Sequence, residues 1–475
     1  MTPCIPLHRT TGRVDPCGRL LGPNAPAGTR RPNAPARARR RPADAATGRA
    51  YTTNAIRGAP PRRARWRFPA WGAVAGLLLV GGCEVFSFLP FVDSPEEKDE
   101  EGAPTPLGAF DAEASIERRW QVGVGRGLGR KYLRITPKIL ADRIYAADGY
   151  GTVVALDRFS GRRIWTASVG KPDNRSFLKL WDRRDPSFLT GGVGAGDGMI
   201  FVGTTRGEVI ALDAGDGTER WRVQLSSEVL APPAGGDGVV MAQTNDGRLI
   251  ALESADGTTR WSYDNQVPLL TLRGTATPVV IGAIVLAGFG DGRVAALSTV
   301  TGATVWEHRL VLPQGRTELE RLVDVDGTPL VVPERNAIFA VSYQGWLKAL
   351  SPQEGRVLWE LPASSHLDLA EGYGQLYMVT DEDVVTAVQQ GSAEVVWQQE
   401  GLKNRRLTSP MAFSNYVLVG DADGYLHVLA QTDGRFVARR RLSGGLQSPI
   451  VESDGIVYVL ANDGKLSALE IRLRS

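Results

Sequence analysis

From Glu117 onward the chain alternates short apolar runs with tight polar turns, and this pattern repeats to the C-terminus. In one unit, Met199–Thr204 and Glu208–Leu212 are β-forming runs separated by a turn at Arg206–Gly207. Glycine takes the positive φ of such turns without steric cost. A third run, Thr218–Leu225, follows a second turn. No helical periodicity is present in these units, so the pattern predicts an all-β fold.

A fourth, innermost strand is predicted just ahead of each unit, for example at Leu230–Pro233 and Ser448–Val451. Each unit also has fixed marks: a turn glycine, Ala-Leu four and five residues later, and tryptophan at fourteen. The first copy is Gly151–Ala155–Leu156–Trp165, four more copies are clear, two are eroded, and the last stops without its tryptophan. Four-stranded units that recur about every 45 residues are typical of β-propeller blades.

The incomplete last unit predicts how the ring closes. A strand at Glu117–Val124 carries Trp120 and has no strands before it, so it can complete the eighth blade and protect otherwise open strand edges. We therefore predict an eight-bladed propeller of four-stranded antiparallel blades over residues 117–475. The tryptophans are interpreted as structural, packed between blades with their N–H groups bonded to carbonyls, with ligand binding as the less favoured alternative. They are Trp120, Trp165, Trp221, Trp261, Trp306, Trp359 and Trp397.

The first 67 residues differ from the repeat. They are rich in Pro, Ala and Arg, with 15 Arg, no Lys and only two acids. Such a composition cannot bury a core, so we predict no fold for it. Two interpretations stay open for residues 1–61: a stretch ahead of the true translation start, which we favour, or a translated basic leader. Residues 62–67 supply the basic part of a secretion signal.

Residues 68–82 form an uncharged apolar run that ends Leu79–Val80–Gly81–Gly82–Cys83. The run is short for a membrane span and suits a signal peptide. Its ending resembles a bacterial lipobox, which implies cleavage before Cys83 and lipidation of that residue. The other two cysteines, Cys4 and Cys17, precede it, so the mature chain has no internal disulfide. An ordinary signal peptide or membrane anchor is the alternative. Residues 83–116 are predicted to be an acidic, flexible tether.

Cleavage before Cys83 changes the charge. It removes a net +13, so a precursor of +3 becomes a mature chain of −10. An acidic domain argues against binding to a phosphate backbone, and we predict no nucleic-acid partner.

The repeat resembles that of quinoprotein dehydrogenases, which hold pyrroloquinoline quinone (PQQ) and calcium in the channel. One major group of those enzymes has a vicinal cysteine pair, which the mature chain lacks, and heme-binding Cys-x-x-Cys-His is also missing. His308, His366 and His427 are isolated in sequence, and no nucleophile set or zinc spacing is evident. We therefore predict neither catalysis nor a bound cofactor or metal, with a PQQ-dependent dehydrogenase as the alternative.

Two spacings between units are long, with insertions near Lys171–Leu189 and Val311–Asp326. Insertions in repeat proteins map to loops, often on the binding face. The second insertion carries Asp324 and Asp326, and the corresponding loop of the preceding blade carries Leu270, Leu272 and Arg273. Both loops end in Thr-Pro, so we expect them on one face. Two interpretations stay open: partner binding, or an arginine and aspartates that brace each other.

The lipobox, the acidic eight-bladed propeller and the loops LxLRG and RLxDVDxTP together resemble the BamB family of outer-membrane protein assembly lipoproteins. The resemblance covers essentially the whole mature chain. It implies a non-enzymatic scaffold, monomeric within a hetero-complex, whose two loops contact the periplasmic POTRA domains of BamA. By motif, the implied contact residues are Leu270, Leu272, Arg273, Asp324 and Asp326.

The resemblance also implies a place and a role in the cell. The chain would be anchored to the periplasmic face of the outer membrane through Cys83, and would aid insertion of unfolded outer-membrane proteins. Glu84 departs from the family, because an acidic residue after the lipidated cysteine can bias sorting toward the inner membrane. A propeller lipoprotein serving another envelope complex is a further alternative.

Overall fold

The computed structural model describes residues 102–129, 134–170, 187–266, 268–272, 274 and 276–474. The leader, the signal segment and Cys83 lie outside the described residues, as do Arg273 and most of the first predicted insertion. All described residues belong to one compact unit, Asp93–Ser475.

Eight separate four-stranded antiparallel sheets make up this unit, which confirms the predicted propeller. Blades 1 to 4 consist of β2 Lys138–Leu140, β3 Arg143–Ala147, β4 Thr152–Asp157, β5 Arg163–Ser168; β6 Leu189–Gly196, β7 Met199–Thr204, β8 Glu208–Asp213, β9 Glu219–Gln224; β10 Ala234–Gly236, β11 Val239–Gln243, β12 Arg248–Glu253, β13 Thr259–Asp264; and β14 Val279–Ile281, β15 Ile284–Gly288, β16 Arg293–Ser298, β17 Thr304–Arg309.

Blades 5 to 8 continue the same order. They consist of β18 Leu330–Val332, β19 Ala337–Val341, β20 Gly345–Leu350, β21 Val357–Ala363; β22 Ala370–Gly372, β23 Gln375–Val379, β24 Val385–Gln389, β25 Val395–Gln399; β26 Met411–Phe413, β27 Tyr416–Gly420, β28 Tyr425–Ala430, β29 Phe436–Arg441; and β30 Val451–Ser453, β31 Ile456–Leu460, β32 Lys465–Leu473 with β1 Ala114–Gly123. In the part of the chain that the structure describes, the helical element is one 3-10 turn, Pro333–Arg335, and no helix could cross a membrane.

The ring closes through the N-terminal strand, as predicted. β1 pairs with β32 as the outer strand of blade 8, and Trp120 lies opposite Ala468. The same pairing joins Ala155 to Trp165 in blade 1. Trp120 therefore occupies the position that the last repeat lacks. β1 begins three residues earlier than predicted, at Ala114.

The innermost strands lie a few residues later than predicted in two blades. β10 begins at Ala234 and β30 at Val451, rather than at Leu230 and Ser448. Residues 230–232 instead line a central cavity, as does Pro449. Proline has no N–H to donate to a strand ladder, so these segments suit the channel wall better than a sheet.

The core lies between neighbouring blades, where the second and third strands are almost completely buried. In β11 every residue is buried, and in β27 every residue except Tyr416 is buried. Buried clusters combine adjacent blades: Phe201 of blade 2 packs in one cluster with Val240 of blade 3. The turns between second and third strands and the connections between blades lie together on one side, which we call the loop face. The opposite side is called the far face.

Each outer-strand tryptophan joins its blade to the next one. All seven indole N–H groups donate to a carbonyl of the following blade, at 2.7–3.1 Å. Six of the rings also pack on a turn glycine of that blade with φ between 65 and 78°. At the seventh joint, below Trp359, the equivalent residue is Ala393 with φ 60°. The tryptophans thus serve as inter-blade contacts, which agrees with their structural interpretation.

Candidate functional site

Two connections between blades stand out on the loop face. The blade-3/4 connection spans residues 265–278, between β13 and β14, and the blade-4/5 connection spans residues 310–329, between β17 and β18. They carry all five residues that the sequence predicts as partner contacts. The structure places four of these residues: Leu270, Leu272, Asp324 and Asp326.

Asp324 joins the two connections from inside. Its side chain is completely buried, and its Oδ1 accepts the backbone N–H of Leu272 at 3.0 Å. Its backbone carbonyl accepts the N–H of Tyr343 at 2.9 Å in the neighbouring turn. The other carboxylate oxygen, Oδ2, has no hydrogen-bond partner among the described residues. Asp324 and Gln243 both line a cavity of about 20 Å³. Asp324 therefore contacts the blade-3/4 connection but is not exposed on the surface.

Asp326 is also buried, with 4% of its surface exposed. Its carboxylate lies so close to Gly274 that a β-carbon at residue 274 would overlap it. Glycine at this position thus lets the blade-3/4 connection pass directly over the carboxylate. Both aspartates are thereby placed beneath the connection that carries the leucines.

Burial dominates the electrostatics of these two carboxyl groups. It raises the pKa of Asp324 to about 6, although backbone N–H donors oppose the shift. Burial, with the nearby Asp324 charge, raises the pKa of Asp326 to about 7, while Arg134 acts in the opposite direction. The ionised forms are disfavoured because a low-dielectric interior solvates charge poorly.

Exposed leucines form the outer surface of both connections. Leu270 is 39% exposed, and Leu269 beside it is 95% exposed. On the blade-4/5 connection, Leu312 and Leu319 are 60% and 66% exposed. Sequence reasoning missed these three, because a repeat pattern cannot distinguish buried from exposed leucines within an irregular loop. Exposed apolar side chains on two joined loops are the kind of surface that marks protein interaction sites.

A cavity of about 530 Å³ opens at the centre of the loop face. Leu272 and Asp326 line it together with Asp368, Asp381, Arg134 and His366. Arg134 donates from Nη1 to the backbone carbonyl of His366 at 3.0 Å. Burial lowers the pKa of His366 to about 4, with a further contribution from Arg134, so this ring is neutral at pH 7.

This lining does not fit the cofactor of quinoprotein dehydrogenases. PQQ is a tricarboxylate, and three aspartates converge on the cavity against one arginine among its described lining residues. The described lining therefore offers a tricarboxylate a single cationic side chain. No group of three or more His, Cys, Asp or Glu side chains within the described ranges could hold a metal ion.

Comparison with known proteins gives the same family from sequence and from structure. The family model described as "Outer membrane protein assembly factor BamB" matches residues 149–399 and 381–473. The Outer membrane protein assembly factor BamB of Pseudomonas aeruginosa is 38% identical over 409 residues, which cover 86% of this chain and 100% of the relative.

Two solved structures define the fold relationship. The crystal structure of BamB from Moraxella catarrhalis is 31% identical, with a TM-score of 0.66, covering 75% of this chain and all of that one. The quinohemoprotein alcohol dehydrogenase of Comamonas testosteroni is 14% identical, with a TM-score of 0.58, covering 74% and 76%. At that identity the second likeness concerns the propeller fold alone.

Proposed function

The chain belongs to the BamB family of outer-membrane protein assembly factors, and from this premise we propose that it is a non-enzymatic scaffold of the β-barrel assembly machinery. Its two connections on the loop face bind the POTRA domains of BamA and hold them in position while unfolded outer-membrane proteins are inserted. Lipid on Cys83 attaches the scaffold to the periplasmic face of the outer membrane. The alternative sorting outcome, retention at the inner membrane because of Glu84, is decided by membrane fractionation.

One observation supports the site more than any other: exposed leucines cover two loops that a buried carboxylate joins. Leu269 and Leu270 lie on one loop, and Asp324 of the other loop accepts the Leu272 N–H beneath them. Binding energy at protein interfaces concentrates in a few central side chains. The residues proposed to touch the partner are the exposed leucines and Arg273. Arg273 is included because the family resemblance implies it.

The two aspartates are proposed to act differently, as positioning residues. Asp324 and Asp326 are 0% and 4% exposed, so neither carboxylate can form much of a contact surface in this conformation. Holding the loop in its bound shape lowers the ordering cost of association. The proposal is thus that the aspartates brace the blade-3/4 connection and the leucines bind the partner. Bracing between Arg273 and the aspartates stays a prediction, because Arg273 lies outside the described residues.

A pull-down from envelope extracts tests the proposal, with the tagged chain as bait and BamA detected in the eluate. Leu269→Glu should reduce BamA recovery at least tenfold, because a charge replaces an exposed apolar contact. Arg273→Glu should have a comparable effect. Leu473→Glu is the matched control, since Leu473 is 74% exposed at the far end of β32 and should leave recovery unchanged.

The outcomes separate the site from the function. Lack of BamA in the wild-type eluate would reject the assembly role itself. Full recovery with both Leu269→Glu and Arg273→Glu would keep the role and reject this surface. Tight stoichiometric PQQ binding with dye reduction by the pure protein would instead favour the dehydrogenase.

A further inference from the structure

Residues 103–113, predicted as part of a flexible tether, lie against blade 7 in an extended conformation. At one end the Thr105 N–H donates to the carbonyl of Lys403 at 3.0 Å. At the other end the Glu113 N–H donates to the carbonyl of Val437 at 3.0 Å, and the Glu113 carboxylate pairs with Arg435 at 2.8 Å. We call residues 103–113 the latch.

Apolar side chains of the latch enter the propeller surface. Leu107 packs against a buried cluster that contains Leu402 and Leu407. Phe110 stacks on Phe436 with ring centroids 5.5 Å apart. These contacts bury apolar area that a solvated tether would leave in water, which favours the docked latch.

Two arginines of the propeller bind backbone carbonyls of the latch. Arg405 donates from Nη1 to Thr105 at 3.0 Å, and its Nε donates to Asp421 Oδ2 at 2.8 Å. Arg439 donates from Nη1 to Gly108 at 3.0 Å. Peptide carbonyls are thus the ligands of both guanidinium groups, so the latch is held by its backbone as well as by its side chains.

Behind these arginines is a fully buried pair, His427 and Asp421, both 0% exposed. Arg439 Nε donates to His427 Nδ1 at 3.1 Å, which leaves the ring proton on Nε2, 2.9 Å from Asp421 Oδ2. Burial lowers the pKa of His427, so the ring stays neutral and can accept from the arginine. The isolated histidine of the sequence is therefore a support that orients Arg439 toward the latch.

The direction of the latch determines where the chain leaves the propeller. Lys403 and Arg405 lie in the connection between blades 6 and 7, which is on the loop face, whereas Arg435 lies in the turn before β29, on the far face. The latch therefore runs from the loop face to the far face before β1 returns. At Ala103, whose carbonyl accepts from the Asn404 side-chain amide at 3.2 Å, the chain is therefore at the loop face, the same face that carries the blade-3/4 and blade-4/5 connections.

From this geometry we propose that the latch fixes the exit of the membrane tether on the loop face, so that this face is held toward the lipid surface. The inference rests on the proposed lipidation of Cys83. Eighteen residues separate Cys83 from Gly102, a reach of at most about 65 Å when fully extended. If the tether left from the far face, part of this length would be used to span the propeller before the loop face could approach the membrane.

The test uses the full-length lipidated protein in liposomes that contain phospholipids with nitroxide headgroups. A fluorophore is attached at Glu382→Cys on the loop face or at Ser392→Cys on the far face, both exposed and both in blade 6. Quenching is expected to be at least twofold stronger at residue 382. In the double variant Leu107→Ser, Phe110→Ser, which alters only the latch, this difference should vanish.

Amide hydrogen exchange provides a second readout in the same proteins. The Thr105 and Glu113 amides should exchange at least tenfold more slowly in the wild type than in the latch variant. Equal quenching at the two positions, stronger quenching at residue 392, or rapid exchange at both amides would overturn the proposal. Mass spectrometry of the N-terminal peptide distinguishes this failure from lack of lipid on Cys83, which would instead reject the proposed anchor.

Discussion

The contact between each tryptophan and the next blade's turn glycine predicts a large effect from a single methyl group. Trp221 donates its N–H to the Ser254 carbonyl at 2.8 Å, and its ring lies on Gly257, whose φ is 74°. A β-carbon at residue 257 would lie 2.7 Å from the nearest ring atom. Gly257→Ala therefore combines an unfavourable backbone conformation with a steric overlap at a buried joint.

The expected cost follows from these two terms. A residue with a β-carbon in the left-handed region costs roughly 1–2 kcal/mol, and overpacking a close-packed site costs about 1–3 kcal/mol more. Unfolding entropy of about 2.1 cal/mol/K per residue over roughly 360 residues converts this to a fall in Tm of about 3–7 °C. The Gly257→Ala variant should show this fall in a thermal melt followed by tryptophan fluorescence.

Gly391→Ala is the matched control. Gly391 lies in the equivalent turn of blade 6, but an added β-carbon there meets nothing within 4 Å and its φ is not positive. Its Tm should change by less than 1 °C, roughly the effect of a neutral surface substitution. If the Tm of Gly257→Ala equalled that of Gly391→Ala, neither the backbone argument nor the packing argument would hold.

Two further predictions concern ring closure and pH. Trp120→Phe should destabilise the protein by about 0.5–1.5 kcal/mol, because the Trp120 N–H loses its 3.0 Å bond to the Arg158 carbonyl while that carbonyl keeps the Tyr458 hydroxyl as a donor at 3.1 Å; an unchanged denaturant midpoint would contradict this role. Burial raises the pKa of Asp326 to about 7, above its unfolded value of about 3.9. The folded state then binds more protons between these values, so the carboxyl contributes stability at pH 4 that is lost as pH rises through 7. Asp326→Asn should therefore gain stability relative to wild type from pH 4.5 to pH 8, and parallel stability profiles would refute the assignment.

The repeat made the fold predictable from sequence. Constant spacing between the turn glycine and Trp165, and at the other copies, specified strand pairing, because Ala155 lies opposite that tryptophan in the observed register. The incomplete last copy likewise predicted that the strand of Trp120 would complete the last blade, where Trp120 lies opposite Ala468. The first residues of strands near proline were predicted less accurately, as at Leu230. An apolar run there can line a channel as well as form a strand.

The candidate site was predictable in position but not in orientation. A long spacing between units located the blade-4/5 connection, and its counterpart in the preceding blade located the blade-3/4 connection, yet Asp324 and Asp326 were expected on the surface with the leucines. Charged residues are rarely buried without partners, and nothing in a loop sequence reveals that a backbone N–H 52 residues away, at Leu272, will serve as one. The latch was missed for a similar reason: its partners Arg405 and Arg439 are about 300 residues distant in sequence.

The buried aspartates make the two connections behave as one surface. A leucine on a free loop must lose conformational freedom when it binds, and this ordering costs about 0.5–1.5 kcal/mol per side chain in addition to the backbone. Asp324 fixes the Leu272 backbone from below, and Asp326 packs against Gly274 two residues later. Part of the ordering cost is therefore met during folding rather than on binding. Asp324→Ala, which removes the acceptor of the Leu272 N–H, should consequently weaken BamA recovery in the same pull-down through a mobile blade-3/4 connection while the exposed leucines remain in the sequence.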